Sequence, residues 1–357
     1  RFLNLDGGGI RGLSSLIILK HLMKSVDPQN PPKPCDYFQL IGGTSTGGLI
    51  AIMLGRLRMD VSECIEKYLQ LSSAAFTPKR HNIDLVKRGK DLWRLSGKYR
   101  SDSLVSEFKA AAKEIDGDED ATLFDTNADT GCKVFVCTLS KTLNAQVLLR
   151  SYKTDTSIDG LSTSGVKIWE AARATSAAPT FFDPIRIGNQ DFVDGATGRN
   201  NPVESVLAEA SEIWGPDAKD RIECLVSIGT GKSEFRDFGD NLAELKRTLV
   251  ALATETEQTE QRIYRNQENL GVGGRYFRFN VDRGLEGVVL DDCEKQGTII
   301  SATEAYLETE RVKETTTKFT RVKAPRFSKR CYPRYSHNQK VCLHLPMPMV
   351  GGNRVSD

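Results

Sequence analysis

Two short segments hold the residue types that could do chemistry: Asp6-Gly7-Gly8-Gly9-Ile10-Arg11-Gly12 and Gly43-Thr44-Ser45-Thr46-Gly47-Gly48. A glycine-rich turn can aim backbone N–H groups at a developing oxyanion, and a serine among small residues can be presented as a nucleophile. Acyl transfer needs both parts. The second segment fits Gly-x-Ser-x-Gly through Gly43, Ser45 and Gly47. In such a nucleophile elbow a sharp strand-to-helix turn holds the serine, and small neighbours let the chain approach itself closely.

The first segment also fits a dinucleotide-binding GxGxxG through Gly7, Gly9 and Gly12. That reading needs an acid at the end of the following strand. Asp27 has about the right spacing but sits in the proline-rich loop 27–34, and the next strand ends in the serine motif instead. A P-loop is excluded, because no Gly-Lys-Ser/Thr follows the glycines.

A serine hydroxyl needs a base, usually histidine. The chain has His21, His81, His337 and His344, and none follows a strand as a triad would require. Asp194 is the better placed group. It ends the short apolar run Asp191-Phe192-Val193 and precedes Gly195. Taken alone, Asp-Gly is a common turn. The weight comes from order: glycine loop, serine elbow and Asp-Gly each follow a strand-like run, and ligands of open α/β sheets bind at the carboxyl ends of strands.

Apolar periodicity predicts the elements that must hold these groups. Strands are expected at 2–6, 37–41, 133–139, 145–151, 191–193, 221–228 and 275–281, and helices at 13–23, 49–57, 61–72, 104–115, 168–175, 242–267 and 298–312. The alternation predicts an α/β protein with a parallel or mixed sheet covered on both faces. Residues 321–357 carry prolines and basic residues without apolar periodicity, and are expected to form a loose tail.

The formal net charge of +2 gives no support for a nucleic-acid partner. Eight cysteines at irregular spacing, several inside apolar runs, predict reduced buried thiols and a reducing compartment. The segment Lys79 to Arg100 mixes eight basic residues with Leu85, Leu92, Trp93 and Tyr99, which suits either an anionic membrane surface or a solvated lid.

On Asp6 to Gly12, Gly43 to Gly47 and Asp194-Gly195-Ala196, with Asn200-Asn201-Pro202 following, the chain resembles the patatin-like phospholipases. The phrasing is also similar to fungal members, where the domain precedes regulatory modules in a longer parent protein. The resemblance implies a three-layer α/β/α sandwich with a central, mostly parallel sheet, and a catalytic domain over residues 1–320. It further implies a lipid acyl hydrolase working through a Ser45–Asp194 dyad on fatty-acyl esters of phospholipids. Gly7, Gly8 and Gly9 would form the oxyanion hole. Arg11 would add positive charge there or make a structural ion pair. Asp6, Gly12, Gly43, Gly47, Gly195 and Ala196 complete the motifs. No metal or cofactor is implied, the chemistry is calcium-independent, and the protein would be cytoplasmic and meet membranes peripherally. A signalling domain that only recruits partners is the alternative from another class.

Overall fold

Phe2–Leu5 is buried along its whole length, the pattern of a strand covered on both faces. It forms β1, near the middle of an eight-stranded sheet. The computed structural model describes residues 1–75, 99, 101–126, 131–154, 165–179, 181–232 and 243–322, within a compact unit Arg1–Val322. The expected tail from residue 321 lies almost wholly outside the described residues.

In chain order, the first half comprises β1, α1 (Gly12–Val26), the single turn α2 (Pro34–Tyr37), β2 (Leu40–Thr44), α3 (Thr46–Ala51), α4 (Val61–Ala75), α5 (Asp102–Asp116), β3 (Lys133–Ser140) and β4 (Ala145–Arg150). The second half adds α6 (Ile168–Thr175), β5 (Ile185–Ile187), β6 (Gln190–Asp194), the kinked turn α7 (Ala196–Arg199), α8 (Val203–Trp214), β7 (Leu225–Ile228), α9 (Ala243–Arg265), β8 (Tyr276–Phe279), α10 (Gln296–Leu307) and α11 (Glu310–Arg321). The strands run in the order β5-β6-β3-β2-β1-β7-β8, with β4 also paired to β3. From β3 to β8 the ladder is parallel, while β4, β5 and β6 pair antiparallel.

Side chains alternate between two cores, one on each sheet face. Leu3, Ile41, Val134 and Val226 pack with α1 and α4 on one side. Phe2, Leu40, Phe135 and Leu225 pack with α8 and α9 on the other. The result is the expected three-layer α/β/α arrangement with a mostly parallel sheet.

The register of β3 brings the chemistry together. Residues 135–140 of β3 give one edge to β4. The opposite edge is shared: β2 takes it up to the pair Thr44–Cys137, and β6 takes over at the pair Asp194–Thr138. β2 and β6 therefore meet head to head, delivering Ser45 from one side and Asp194 from the other.

Several element boundaries differ from the sequence expectations. The second strand starts at Leu40 rather than at residue 37 and runs through Gly42 and Gly43, because Pro34 opens a helical turn first. A Cβ on Gly42 would press into the Phe135 ring, so glycine here serves sheet packing rather than ending the strand. The run 221–228 is strand only from Leu225, after a 3-10 turn at Pro216–Arg221. The last helix divides at Thr309, whose extended backbone separates α10 from α11 and whose hydroxyl donates to the Tyr306 carbonyl. Of the basic segment, only Tyr99 is described. It is buried, and its N–H donates to the Phe181 carbonyl at 2.9 Å. The other residues of that segment lie outside the described residues.

Candidate active site

Ser45 follows β2 and caps α3 with φ 54° and ψ −126°. A non-glycine residue at positive φ is strained and persists only where its surroundings enforce it. The enforcement is close approach: a Cβ on Gly43 would collide with the Gly47 carbonyl, and one on Gly47 with the Leu5 carbonyl. The Ser45 N–H donates to Thr175 Oγ1 at 3.0 Å.

Asp194 is the last residue of β6 and only 2% exposed. Its Oδ1 accepts the Ala196 N–H at 2.8 Å, and the Ser45 side chain is near enough to favour its charged form. No cation pairs with it among the described residues. Burial pushes the carboxyl up to about 7, while the Ser45 side chain and the Ala196 N–H pull the other way. Gly195 must be glycine-sized, because a Cβ there would sit 2.5 Å from the Cys137 backbone.

The glycine loop lies against the serine. A Cβ on Gly7 would be 3.1 Å from Ser45 Cβ. The Gly7 N–H, however, donates to the Asn200 carbonyl at 3.1 Å, so it is committed and is not a free oxyanion donor. The N–H groups of Gly8 and Gly9 find no protein acceptor among the described residues. The loop is pinned through its carbonyls: Thr230 Oγ1 donates to Gly7 O at 3.0 Å, and Thr46 Oγ1 and the Tyr68 hydroxyl both donate to Gly9 O. Gly9 sits at φ 56°, and a Cβ on it would strike the Leu290 carbonyl. Gly12 packs against Thr46 and Tyr68 in the same way. Arg11 is buried, which pushes its guanidinium down to about 10 while leaving it charged at neutral pH.

Asp6 turns toward the other sheet face. Its Oδ2 pairs with Arg278 at 2.7 Å, and its Oδ1 accepts Asn4 Nδ2 at 3.1 Å. Asn4 Nδ2 also reaches Asn201 Oδ1 and Ser227 Oγ, each at 2.9 Å. Asp6 and Asn201 thus anchor the strand end behind the loop.

Above Ser45 opens a pocket bounded by Leu49, Leu71, Ala75, Leu104, Phe181 and Phe182. Its lining is mostly apolar, with the hydroxyl-bearing side chains Thr46, Tyr68, Ser72 and Ser176 beside the serine's own. His21 is the only histidine among the described residues. It lies on α1 under the influence of Glu308 and Lys24, and it lines no part of this pocket. No cluster of three or more His, Cys, Asp or Glu side chains that could hold a metal occurs among the described residues.

The sequence had not singled out Thr175, Arg278 or Thr230 as site residues. Thr230 carried a faint signal, since Gly229-Thr230-Gly231 ends β7 as the other glycine-rich turns end β1 and β2.

Comparison with known proteins bears on the same segments. The family model for patatin-like phospholipases matches residues 3–207, which include both glycine motifs and Asp194. The chain belongs to the patatin-like phospholipase family. It is 32% identical to phospholipase A I of Arabidopsis thaliana over 82% of this chain and 25% of that protein. It is 32% identical to calcium-independent phospholipase A2-gamma of Mus musculus, over 78% of this chain and 34% of that protein. A cGAMP-activated phospholipase of Vibrio cholerae is 29% identical over 66% of this chain and 65% of that protein. The chain therefore spans between a quarter and about a third of the first two relatives.

Proposed function

We propose that this chain is a lipid acyl hydrolase that cleaves fatty-acyl esters of phospholipids through Ser45 and Asp194. One observation carries the reading. A serine at positive φ stands beside a buried carboxylate that pairs with no cation among the described residues, on the lining of a mostly apolar pocket.

In this scheme the Ser45 hydroxyl oxygen attacks the ester carbonyl carbon while Asp194 takes its proton. An ordinary aspartate titrates near 3.9 and is a weak base. A carboxyl raised to about 7 is matched to neutral pH, where a general base works best. The carbonyl oxygen gains the negative charge, and the N–H groups of Gly8 and Gly9 receive it. Collapse breaks the ester C–O bond, and Asp194 returns the proton to the departing lysolipid oxygen. Water then attacks the acyl-serine and gives its proton to Asp194. Collapse breaks the acyl–Ser45 C–O bond, Asp194 passes that proton to the Ser45 oxygen, and the fatty acid leaves. The apolar pocket would take the acyl chain, with Leu104, Phe181 and Phe182 along it.

Lipid in a bilayer requires transient contact with a membrane surface, and the contact proposed is peripheral. No helix among the described residues is long and apolar enough to cross a membrane. All six described cysteines are free, which suits a reducing cytoplasmic compartment. Calcium independence follows the printed name of the Mus musculus relative.

The test is fatty-acid release from phosphatidylcholine vesicles with chelator present, comparing the intact chain with Ser45→Ala and Asp194→Asn. Release by the intact chain and its loss in both variants is expected. Undiminished release by Ser45→Ala would overturn the dyad.

A further inference from the structure

The C-terminal turn of α6 touches both reactive residues. Thr175 Oγ1 accepts the Ser45 N–H at 3.0 Å and donates its own proton to the Cys137 carbonyl at 2.8 Å. Two residues later, the Ala177 carbonyl accepts the Asp194 N–H at 3.0 Å. Thr175 and Ala177 are fully buried. The chain then continues directly into Ala178, Phe181 and Phe182, which form the wall of the pocket.

We infer that Thr175 is a positioning residue for the Ser45–Asp194 pair: its hydroxyl holds the strained elbow by the Ser45 N–H, while the segment 175–177 fixes the separation of the two reactive residues. The inference rests on the dyad proposed above and concerns how it is held.

Three physical points support it. A backbone at φ 54° and ψ −126° is outside the helix that follows, so it needs an acceptor from elsewhere for its N–H. Threonine is the right group, because its hydroxyl both accepts and donates, and both capacities are used here. Residue 48 must also be small here. A Cβ on Gly48 would lie 2.7 Å from Thr175 Oγ1, so glycine at 48 leaves the space that this hydroxyl occupies. The sheet alone does not complete this arrangement. It aligns the ends of β2 and β6, but the tie between their terminal N–H groups runs through α6.

Thr175→Val keeps the shape and removes the acceptor. Misplacing a reacting group by as little as an ångström can cost about 100-fold in rate. The expected result is kcat lowered roughly 10- to 100-fold with KM within about twofold. Labelling of Ser45 by a fluorophosphonate slows in parallel, and amide exchange at Ser45 accelerates. Thr175→Ser keeps the hydroxyl and restores kcat to within about threefold of the intact chain. A folded Thr175→Val with unaltered kcat and labelling overturns the inference. So does a folded Thr175→Ser that falls as far as Thr175→Val. Should Thr175→Val fail to fold, Gly48→Ala carries the same test, since its methyl displaces the hydroxyl without deleting it. Unaltered kcat in a folded Gly48→Ala then overturns the inference. Labelling also separates this inference from the lipid reading. An intact chain that labels at Ser45 but releases no fatty acid refutes the substrate, whereas Thr175 is judged on labelling alone.

Discussion

Asp6 and Asp194 are two carboxylates at strand ends, 1% and 2% exposed, and they differ in their neighbours. Asp6 faces the α9 side and carries Arg278 at 2.7 Å, with Asn4 on its second oxygen. Asp194 has a serine and a backbone N–H. Burial pushes Asp6 up to about 6 against the pull of Arg278, and the guanidinium is itself held firmly charged, so this pair is ionic at neutral pH. Asp194, with no cation, rises to about 7. Equal burial thus leaves an ion pair in one place and, in the proposed mechanism, a proton acceptor in the other.

The largest effect expected is at Asp194. Asp194→Asn should lower fatty-acid release on the order of 10⁴-fold, the scale seen when a catalytic carboxylate is neutralised. It should also stabilise the fold. The folded carboxyl holds its proton more tightly than the unfolded one, whose value is 3.8, so wild-type stability declines as pH rises from about 4 to about 7. At pH 8 the variant should therefore gain up to about 4 kcal/mol, and at pH 4 nothing, in urea titrations. A variant no more stable than wild type at pH 8 would break the contrast.

Asp6→Asn should do the reverse. It leaves Arg278 buried without its main counter-charge and should cost about 3–5 kcal/mol at neutral pH. Denaturant midpoints check this, and a neutral outcome would show that Glu260, 3.3 Å from Arg278, suffices alone.

Gly8→Ala should lower kcat about 100- to 1000-fold, the scale of losing an oxyanion donor, since its Cβ would overlap the Thr230 side chain and push the loop aside. Wild-type turnover in that variant would remove the loop from the mechanism.

The mildest test is the pH profile. Below about pH 7, kcat/KM should fall about tenfold per unit and above it level off, following Asp194 ionisation. An acid limb near pH 4 would mean that Asp194 is not raised.

The strand-end glycines and Ser45 were legible because close backbone approach admits few residue types, and that constraint is local. Asp194 was legible for the same reason, through Gly195 beside Cys137. The three-layer fold was readable from alternating apolar periods. Arg278 was not, since it lies 272 residues from its partner and sits in a strand whose neighbours alternate as any strand does. Thr175 was hidden because a threonine ending a helix is unremarkable in sequence, and its role comes from a contact 130 residues away. The bond from the Gly7 N–H to the Asn200 carbonyl was not legible, because a glycine run does not reveal which of its donors a distant residue takes. The break at Thr309 escaped because apolar spacing continues across it.

The head-to-head arrangement of β2 and β6 on one edge of β3 also sets when activity can begin during synthesis. A nascent chain that has emerged only through β3 already carries the serine, its glycines and two of the four parallel pairings, β1–β2 and β2–β3. It has no base, because Asp194 lies some 150 residues after Ser45 and docks only when β6 claims the vacant end of β3. In the proposed mechanism, esterase chemistry therefore waits for the β3–β6 pairing, and a chain cut short before residue 194 is inert toward lipid.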